Sequence, residues 1–308
     1  MSAQPPLVLI VDDAPANIQT LASYLSDSYR IKVAHNGQRC LELIEQSELP
    51  DVILLDIEMP GIDGYEVCRA LHYQPRTRDI PIIFVTGRED DDNEAYGLSL
   101  GAVDYITKPV RPAIVKARIN THITLKKQRD KLAYLALHDQ LTGLYNRHFL
   151  MEAAHKKIAL ALRQKQSLSF LMIDIDYFKL INDHHSHSIG DQVLADIGQL
   201  LAAQVREEDI AARMGGEEFV IVFNQCSLAD AYQKAETIRQ QVVELNPQDL
   251  RVTVSIGVTQ LSERAPTLDS LIQQADDALY QAKEKGRNRV EVFDQIKPSE
   301  GSTEGKAV

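Results

Sequence analysis

Cysteine is scarce: three residues in a chain of 308, Cys40, Cys68 and Cys226, at no paired spacing. That excludes a disulfide framework and a cysteine-based zinc site. Long apolar runs are missing too, and none approaches the ~20 residues that a membrane-spanning helix needs. The opening Met1-Ser2-Ala3-Gln4-Pro5-Pro6 has none of the apolar stretch of a secretory signal. A cytoplasmic protein with no membrane partner is expected. Positive charge is also in deficit: 33 Lys and Arg stand against 44 Asp and Glu, a net −11. Nucleic acid is therefore excluded as the main partner. What the chain does have is 44% hydrophobic residues, enough for real cores. Its length corresponds to about two domains at ~150 residues each.

Residues 7–110 alternate strands and helices. Leu7-Val8-Leu9-Ile10-Val11 is a continuous apolar run, the mark of a buried parallel strand. Val52-Ile53-Leu54-Leu55, Ile82-Ile83-Phe84-Val85 and Val103-Asp104-Tyr105-Ile106 repeat it, with helical stretches at Asn17–Leu25 and Gln38–Ile44 between. This βαβ order predicts a doubly wound parallel sheet with its site at the carboxyl ends of the strands. Polar residues stand at those ends: Asp12 and Asp13, then Asp56, Thr86 and Lys108-Pro109.

With Met59-Pro60-Gly61-x-Asp63-Gly64 after Asp56, residues 6–125 resemble a response-regulator receiver domain. Clustered carboxylates repel one another unless a divalent cation sits among them. The resemblance implies Mg²⁺ held by Asp13, Asp56 and the Glu58 carbonyl, with Asp12 assisting. It makes Asp56 the phospho-acceptor, served by a sensor histidine kinase or phosphotransfer protein. Lys108 and Thr86 would bind the phosphoryl oxygens, and Tyr105 would move inward with the switch.

Arg111–Leu137 reads as one helix. Ile114, Arg118, Thr121, Leu125, Gln128, Leu132 and Leu135 follow a heptad, but only four of the seven are apolar. A long stable coiled coil is not expected. An amphipathic connector packed on its own receiver fits the amino-terminal half equally well. A short helical connector can pass rotation between domains.

The second domain is built around Arg213-Met214-Gly215-Gly216-Glu217-Glu218-Phe219. Gly-Gly supplies the positive φ of a tight hairpin and lets a phosphate chain approach the backbone. Glu217 and Glu218 are read as adjacent in an extended segment, pointing to opposite faces. Upstream, an apolar strand ends at Asp174-Ile175-Asp176-Tyr177-Phe178-Lys179, followed by Asn182-Asp183 and Gly190-Asp191. Asp174 and Glu217 are hard oxygen ligands of the kind Mg²⁺ prefers. Helices are expected over 146–163, 189–205, 229–243 and 268–285, the last ending at Gly286, and a half-buried strand over 251–258.

Four ordered motifs make residues 138–293 resemble the GGDEF family of diguanylate cyclases. They are Asp139-x-Leu141-Thr142-x-Leu144-x-Asn146-Arg147, Asp174-x-Asp176-x-Phe178-Lys179-x-x-Asn182-Asp183, Gly215-Gly216-Glu217-Glu218-Phe219 and Lys283-x-x-Gly286-Arg287-Asn288. The chain departs from the family's usual glycine at Ser186 and usual aromatic at Met214. The cluster His184, His185 and His187 is read as a polar loop.

The resemblance implies condensation of two GTP to cyclic di-GMP and two pyrophosphates by a homodimer. Asp174, the Ile175 carbonyl and Glu217 would hold Mg²⁺, or Mn²⁺ in its place. Glu218 would help deprotonate the 3′-hydroxyl. Lys179, Lys283 and Arg287 would grip phosphates, alongside Phe178, Gly215 and Gly216, while Asn182 and Asp191 would read guanine. Arg206 and Asp209 match the family's site for inhibition by its product. A catalytically silent cyclic di-GMP receptor under receiver control stays open as the alternative.

The expected fold class is thus an α/β receiver, a doubly wound five-stranded parallel sheet, over 1–112. A helical linker, 113–137, joins it to an α+β domain over 138–293 with a mixed, nucleotidyl-cyclase-like sheet. Residues 294–308 are expected to be a disordered tail.

Overall fold

The computed structural model describes residues 4–87, 91–262 and 265–293, with the backbone alone at 91–93. The expected tail lies outside the described residues. The chain divides into two compact units, 1–132 and 133–308.

The first unit runs β1 (Leu7–Val11), α1 (Pro15–Leu25), β2 (Arg30–Ala34), α2 (Gly37–Gln46), β3 (Val52–Asp56), α3 (Gly64–Tyr73), β4 (Ile82–Thr86), α4 (Asp91–Ser99), β5 (Asp104–Thr107) and α5 (Pro112–Leu137). Its strands form one parallel sheet, ordered β2-β1-β3-β4-β5. β1, β3 and β4 are buried at every position, so alternate residues must feed two cores. Leu9, Val11, Ile53, Leu55 and Phe84 pack on one face with Cys40 and Ile44 of α2 and Val67 and Leu71 of α3. Val8, Ile10, Leu54, Val85 and Ile106 pack on the other with Leu21 and Leu25 of α1 and with α5.

That second core favours one of the two readings of the connector, an amphipathic helix packed on its own receiver at its amino-terminal half. Val115, Ile119 and Ile123 are buried among the β-strand residues. Each such burial is worth about 1.5–3 kcal/mol, so the first turns of α5 belong to the receiver. The heptad stripe instead faces solvent, with Ile114, Leu125 and Leu132 exposed.

The second unit runs α6 (Arg147–Gln164), β6 (Leu168–Ile175), α7 (Phe178–His185), α8 (His187–Ala203), β7 (Ile210–Gly215), β8 (Glu218–Asn224), α9 (Leu228–Leu245), a 3₁₀ turn (Pro247–Asp249), β9 (Val254–Gln260), α10 (Leu268–Glu284) and β10 (Val290–Val292). The sheet order is β10-β9-β6-β8-β7. β6 is antiparallel to both β8 and β9, while β9 and β10 run parallel. β6 is central and wholly buried. Leu171, Ile173, Phe219 and Ile221 face α8 and α9, and Phe170, Met172, Val220 and Val222 face α6 and α10. The strand expected from Arg251 begins only at Val254, because Thr253 is engaged with Asp176 by backbone and side chain.

Candidate functional site

In the first unit the strand ends converge. One ligand oxygen from each of Asp12, Asp13 and Asp56 lies within 4.8 Å of the others. Among the described residues no other group of three or more metal-ligating side chains is that tight, so His184, His185 and His187 form none. Lys108 Nζ donates to Asp12 Oδ2 and Asp56 Oδ2, each at 2.8 Å. Burial pushes the Asp56 carboxyl above its ordinary range; Lys108 opposes this and Asp12 adds to it. For Lys108, burial works against the charge, but the two carboxylates outweigh it and raise its pKa. Buried carboxylates outnumbering their cation make this set fit a divalent ion.

The remaining receiver residues surround that cluster. Glu58 contributes a backbone hydrogen bond to Asp56, and the Lys108 N–H donates to the Thr86 carbonyl at 2.7 Å. Gly64 is required here, since a Cβ would lie 2.2 Å from the Asp56 carbonyl oxygen. Tyr105 is buried in this conformation, edge-on to Phe84 with centroids 6.4 Å apart.

In the second unit the end of β6 meets the β7–β8 turn. Asp174 is in register with Glu218, and the Ile175 N–H donates to the Glu217 carbonyl at 3.4 Å. Gly215 pairs with Glu218, which makes Gly216 and Glu217 the turn. Glu217 therefore stands in the turn and not in an extended segment, a correction to the sequence reading. Both glycines have positive φ, and a Cβ on either would meet nothing within 4 Å, so the turn's backbone is open to a ligand.

Asp174 is 7% exposed. Lys283 Nζ, from the last turn of α10, donates to Asp174 Oδ2 at 2.9 Å. Burial first, then Glu217 and Glu218, holds the Asp174 carboxyl above its usual range against the pull of Lys283. A carboxylate set with more negative charge than Lys283 can offset fits a cation, although these groups converge less tightly than those of the receiver.

Other expected site residues are placed unevenly. Lys179 is exposed, and Asp191 lies exposed on α8 just past its first turn. Asn182 Oδ1 is buried without a hydrogen-bond partner and packs against Gly190, where a Cβ would lie 2.0 Å from it. An unmet acceptor aimed between α7 and α8 fits a ligand donor. Phe178 is a core side chain, so only its backbone is left to meet a ligand.

Arg206 and Asp209 do not pair side chains. Asp209 is buried and accepts from the Arg206 and Asn224 N–H groups at 3.1 and 2.9 Å. The Arg206 guanidinium is exposed, 3.7 Å from Glu208. Ser186, at the family's glycine position, sits at φ 96° between α7 and α8.

Three residues were present in the motifs without an assigned role. Asp176 is buried and accepts from Thr253 Oγ1 at 2.6 Å, Ser255 Oγ at 2.7 Å and the Asn288 N–H at 3.0 Å. It anchors the loop after α10 to the end of β6. Arg213 donates through Nε and a terminal nitrogen to the Gly216 carbonyl at 3.0 and 2.7 Å, and pairs with Asp139 at 3.2 Å. Burial raises the Asp139 carboxyl, but Thr142 and Arg213 outweigh it and hold it below the usual range. Their partners are distant in sequence or in a tight turn, and the motifs gave no signal of them.

Comparison with known proteins agrees with this architecture. Residues 8–120 match the response regulator receiver domain, and residues 136–289, half of the chain, match the diguanylate cyclase GGDEF domain. The chain belongs to the GGDEF diguanylate cyclase family, with a receiver domain ahead of the family domain. It is 34% identical over 296 residues to the response regulator PleD of Caulobacter vibrioides, covering 92% of this chain and 65% of PleD. It is 42% identical over 170 residues to the diguanylate cyclase DgcM of Escherichia coli, covering 54% of this chain and 40% of DgcM. It thus spans less than two thirds of the length of either. The crystal structure of the coiled coil and GGDEF domain of DgcB from Caulobacter crescentus in complex with c-di-GMP superposes with a TM-score of 0.51 at 27% identity, covering 58% of this chain and 97% of that one. Among the described residues no helix is long and apolar enough to cross a membrane.

Proposed function

We propose that this protein is a phosphorylation-activated diguanylate cyclase, condensing two GTP into cyclic di-GMP and two pyrophosphates. The observation that carries the reading is buried Asp174, paired with Lys283 at 2.9 Å beside Glu217, Glu218 and the open Gly215–Gly216 backbone. Mg²⁺ or Mn²⁺ bound by Asp174, the Ile175 carbonyl and Glu217 would neutralise the triphosphate and acidify the 3′-hydroxyl.

The chain's own groups do the rest. Glu218, exposed at the start of β8, accepts the 3′-hydroxyl proton as each hydroxyl attacks the other nucleotide's α-phosphate. Lys179, Lys283 and Arg287 hold the phosphate chain as pyrophosphate leaves. Asn182 and Asp191 read the guanine edge, and ATP would leave them unpaired. One domain carries one half of the reaction, so the working unit is a homodimer.

The receiver takes a phosphoryl group on Asp56 from a histidine kinase or phosphotransfer protein, with a second divalent ion at Asp12, Asp13 and Asp56. Arg206 and Asp209 bind accumulating product as a brake. The site of action is the cytoplasm.

The test is incubation of the purified chain with GTP and Mg²⁺ and mass analysis of the product. Cyclic di-GMP with one pyrophosphate per GTP supports the reading. Binding of cyclic di-GMP without its synthesis would make the chain a receptor instead.

A further inference from the structure

Tyr177 is an exposed aromatic in an improbable conformation. It lies 57% exposed at φ 57°, a left-handed backbone position that a bulky residue rarely adopts. Its ring carries the Arg287 guanidinium, 4.6 Å from the ring centroid. Arg287 is itself at φ 62°, with Asn288 following at φ 46°. Two strained backbones therefore face each other through one side-chain contact. Such strain persists only where the surroundings over-determine it.

The surroundings do so from the neighbouring positions. Asp176, immediately before Tyr177, accepts the N–H of Asn288, immediately after Arg287. Asn288 Oδ1 in turn accepts from Arg239 of α9 at 2.8 Å, and Arg239 is held by Glu236 at 3.0 Å. The backbone of the 286–288 loop is thus fixed. Its long cationic side chain is not fixed by any carboxylate: among the described residues no ion pair engages Arg287. Lys283, four residues earlier, is already committed to Asp174. Arg287 is therefore a cation still able to meet an anion, and the Tyr177 face is what orients it. A ring face attracts a guanidinium without neutralising it, so the charge stays available to a ligand.

We propose that Tyr177 is a positioning residue for the triphosphate of the substrate, acting through Arg287. The inference rests on the cyclase reading above, which makes Arg287 a phosphate contact. Loss of the ring would let Arg287 sample other rotamers, and the ordering cost would then fall on substrate binding. At an exposed site the effect corresponds to about a two- to fivefold change in an equilibrium constant.

The experiment is a double-mutant cycle on Tyr177 and Arg287 in the full chain. It is read by KM and kcat for GTP and by the Kd of 3′-deoxy-GTP, which lacks the attacking hydroxyl. Tyr177→Ala should raise KM and that Kd about two- to fivefold, with kcat nearly unchanged. Tyr177→Phe, which keeps the ring, should behave as wild type. In an Arg287→Ala background, Tyr177→Ala should have no further effect. An unaltered KM and Kd in Tyr177→Ala, or effects that simply add in the double variant, would overturn the assignment. So would a fall in kcat and thermal stability with no KM change, which marks a purely structural role. Wild type that neither binds 3′-deoxy-GTP nor turns over GTP would overturn the cyclase reading itself. Wild type that does both, with indifferent Tyr177 variants, would overturn only this inference.

Discussion

Lys283 Nζ stands 2.9 Å from Asp174 Oδ2, joining the last turn of α10 to the end of the central strand. The pairing is incomplete compensation: burial and the two neighbouring glutamates still hold the Asp174 carboxyl above its usual range. Asp174→Asn should therefore raise the metal-free melting temperature while cutting GTP turnover by at least about a hundredfold. Adding Mg²⁺ should stabilise wild type and leave the variant unmoved. A variant that is both destabilised and active would refute the metal role.

Arg213 holds the turn carbonyl of Gly216 and, behind it, Asp139. Arg213→Ala should keep the fold and lower turnover about ten- to a hundredfold by releasing the turn. Lysine should not rescue it, having no planar fork to span both partners. The Asp139 carboxyl is held below its usual range, so its contribution to stability is present above the unfolded-state pKa. That contribution is lost as pH falls through the folded-state value. Urea titrations at several acidic pH values should show a shallower acid loss in Asp139→Asn than in wild type.

Product inhibition should separate into its two residues. Arg206 is exposed, so Arg206→Ala should change stability by less than about 0.5 kcal/mol and abolish the slowing as cyclic di-GMP accumulates. Asp209→Ala strips two backbone N–H groups of their buried acceptor and should cost about 1–3 kcal/mol for each. Progress curves with added product, alongside urea unfolding, distinguish these outcomes. Persistent inhibition in Arg206→Ala would remove the pair from the feedback site.

Ser186 occupies φ 96°, where glycine is unstrained. Ser186→Gly should stabilise the second unit by about 0.5–1 kcal/mol, less entropy than strain being at stake. Denaturant midpoints measure it directly, and a loss of stability would mean the serine has a contact that outweighs the strain.

Much of this was legible in the sequence because it depends on local pattern. Apolar runs ending in Asp12, Asp56, Thr86 and Lys108 reveal a parallel sheet and its site together. β2 was harder, since Arg30–Ala34 is only partly buried and carries Lys32. The hairpin was legible, but its position was not. The register slips between Arg213 and Gly215, which moves Glu217 into the turn. The two readings of α5 could not be ranked from sequence because the heptad and the Val115, Ile119 and Ile123 row share one helix, and only the receiver core decides which is buried. Asp176 was invisible as an anchor for a simpler reason. Its donors come from Thr253, Ser255 and Asn288, separated from it by 77, 79 and 112 positions.

Phosphorylation at the Asp56 cluster is expected to control chemistry in the other unit. A phosphoryl analogue on Asp56 would place negative charge against Lys108 and Thr86 and bias the receiver toward its active state. The direct measurement is the rate of cyclic di-GMP formation from GTP with Mg²⁺, with and without beryllofluoride, in wild type and Asp56→Asn. Both proteins should form cyclic di-GMP, wild type faster with the analogue and Asp56→Asn without response. An analogue that binds wild type yet leaves its rate unchanged, or an equal rise in Asp56→Asn, would contradict this control.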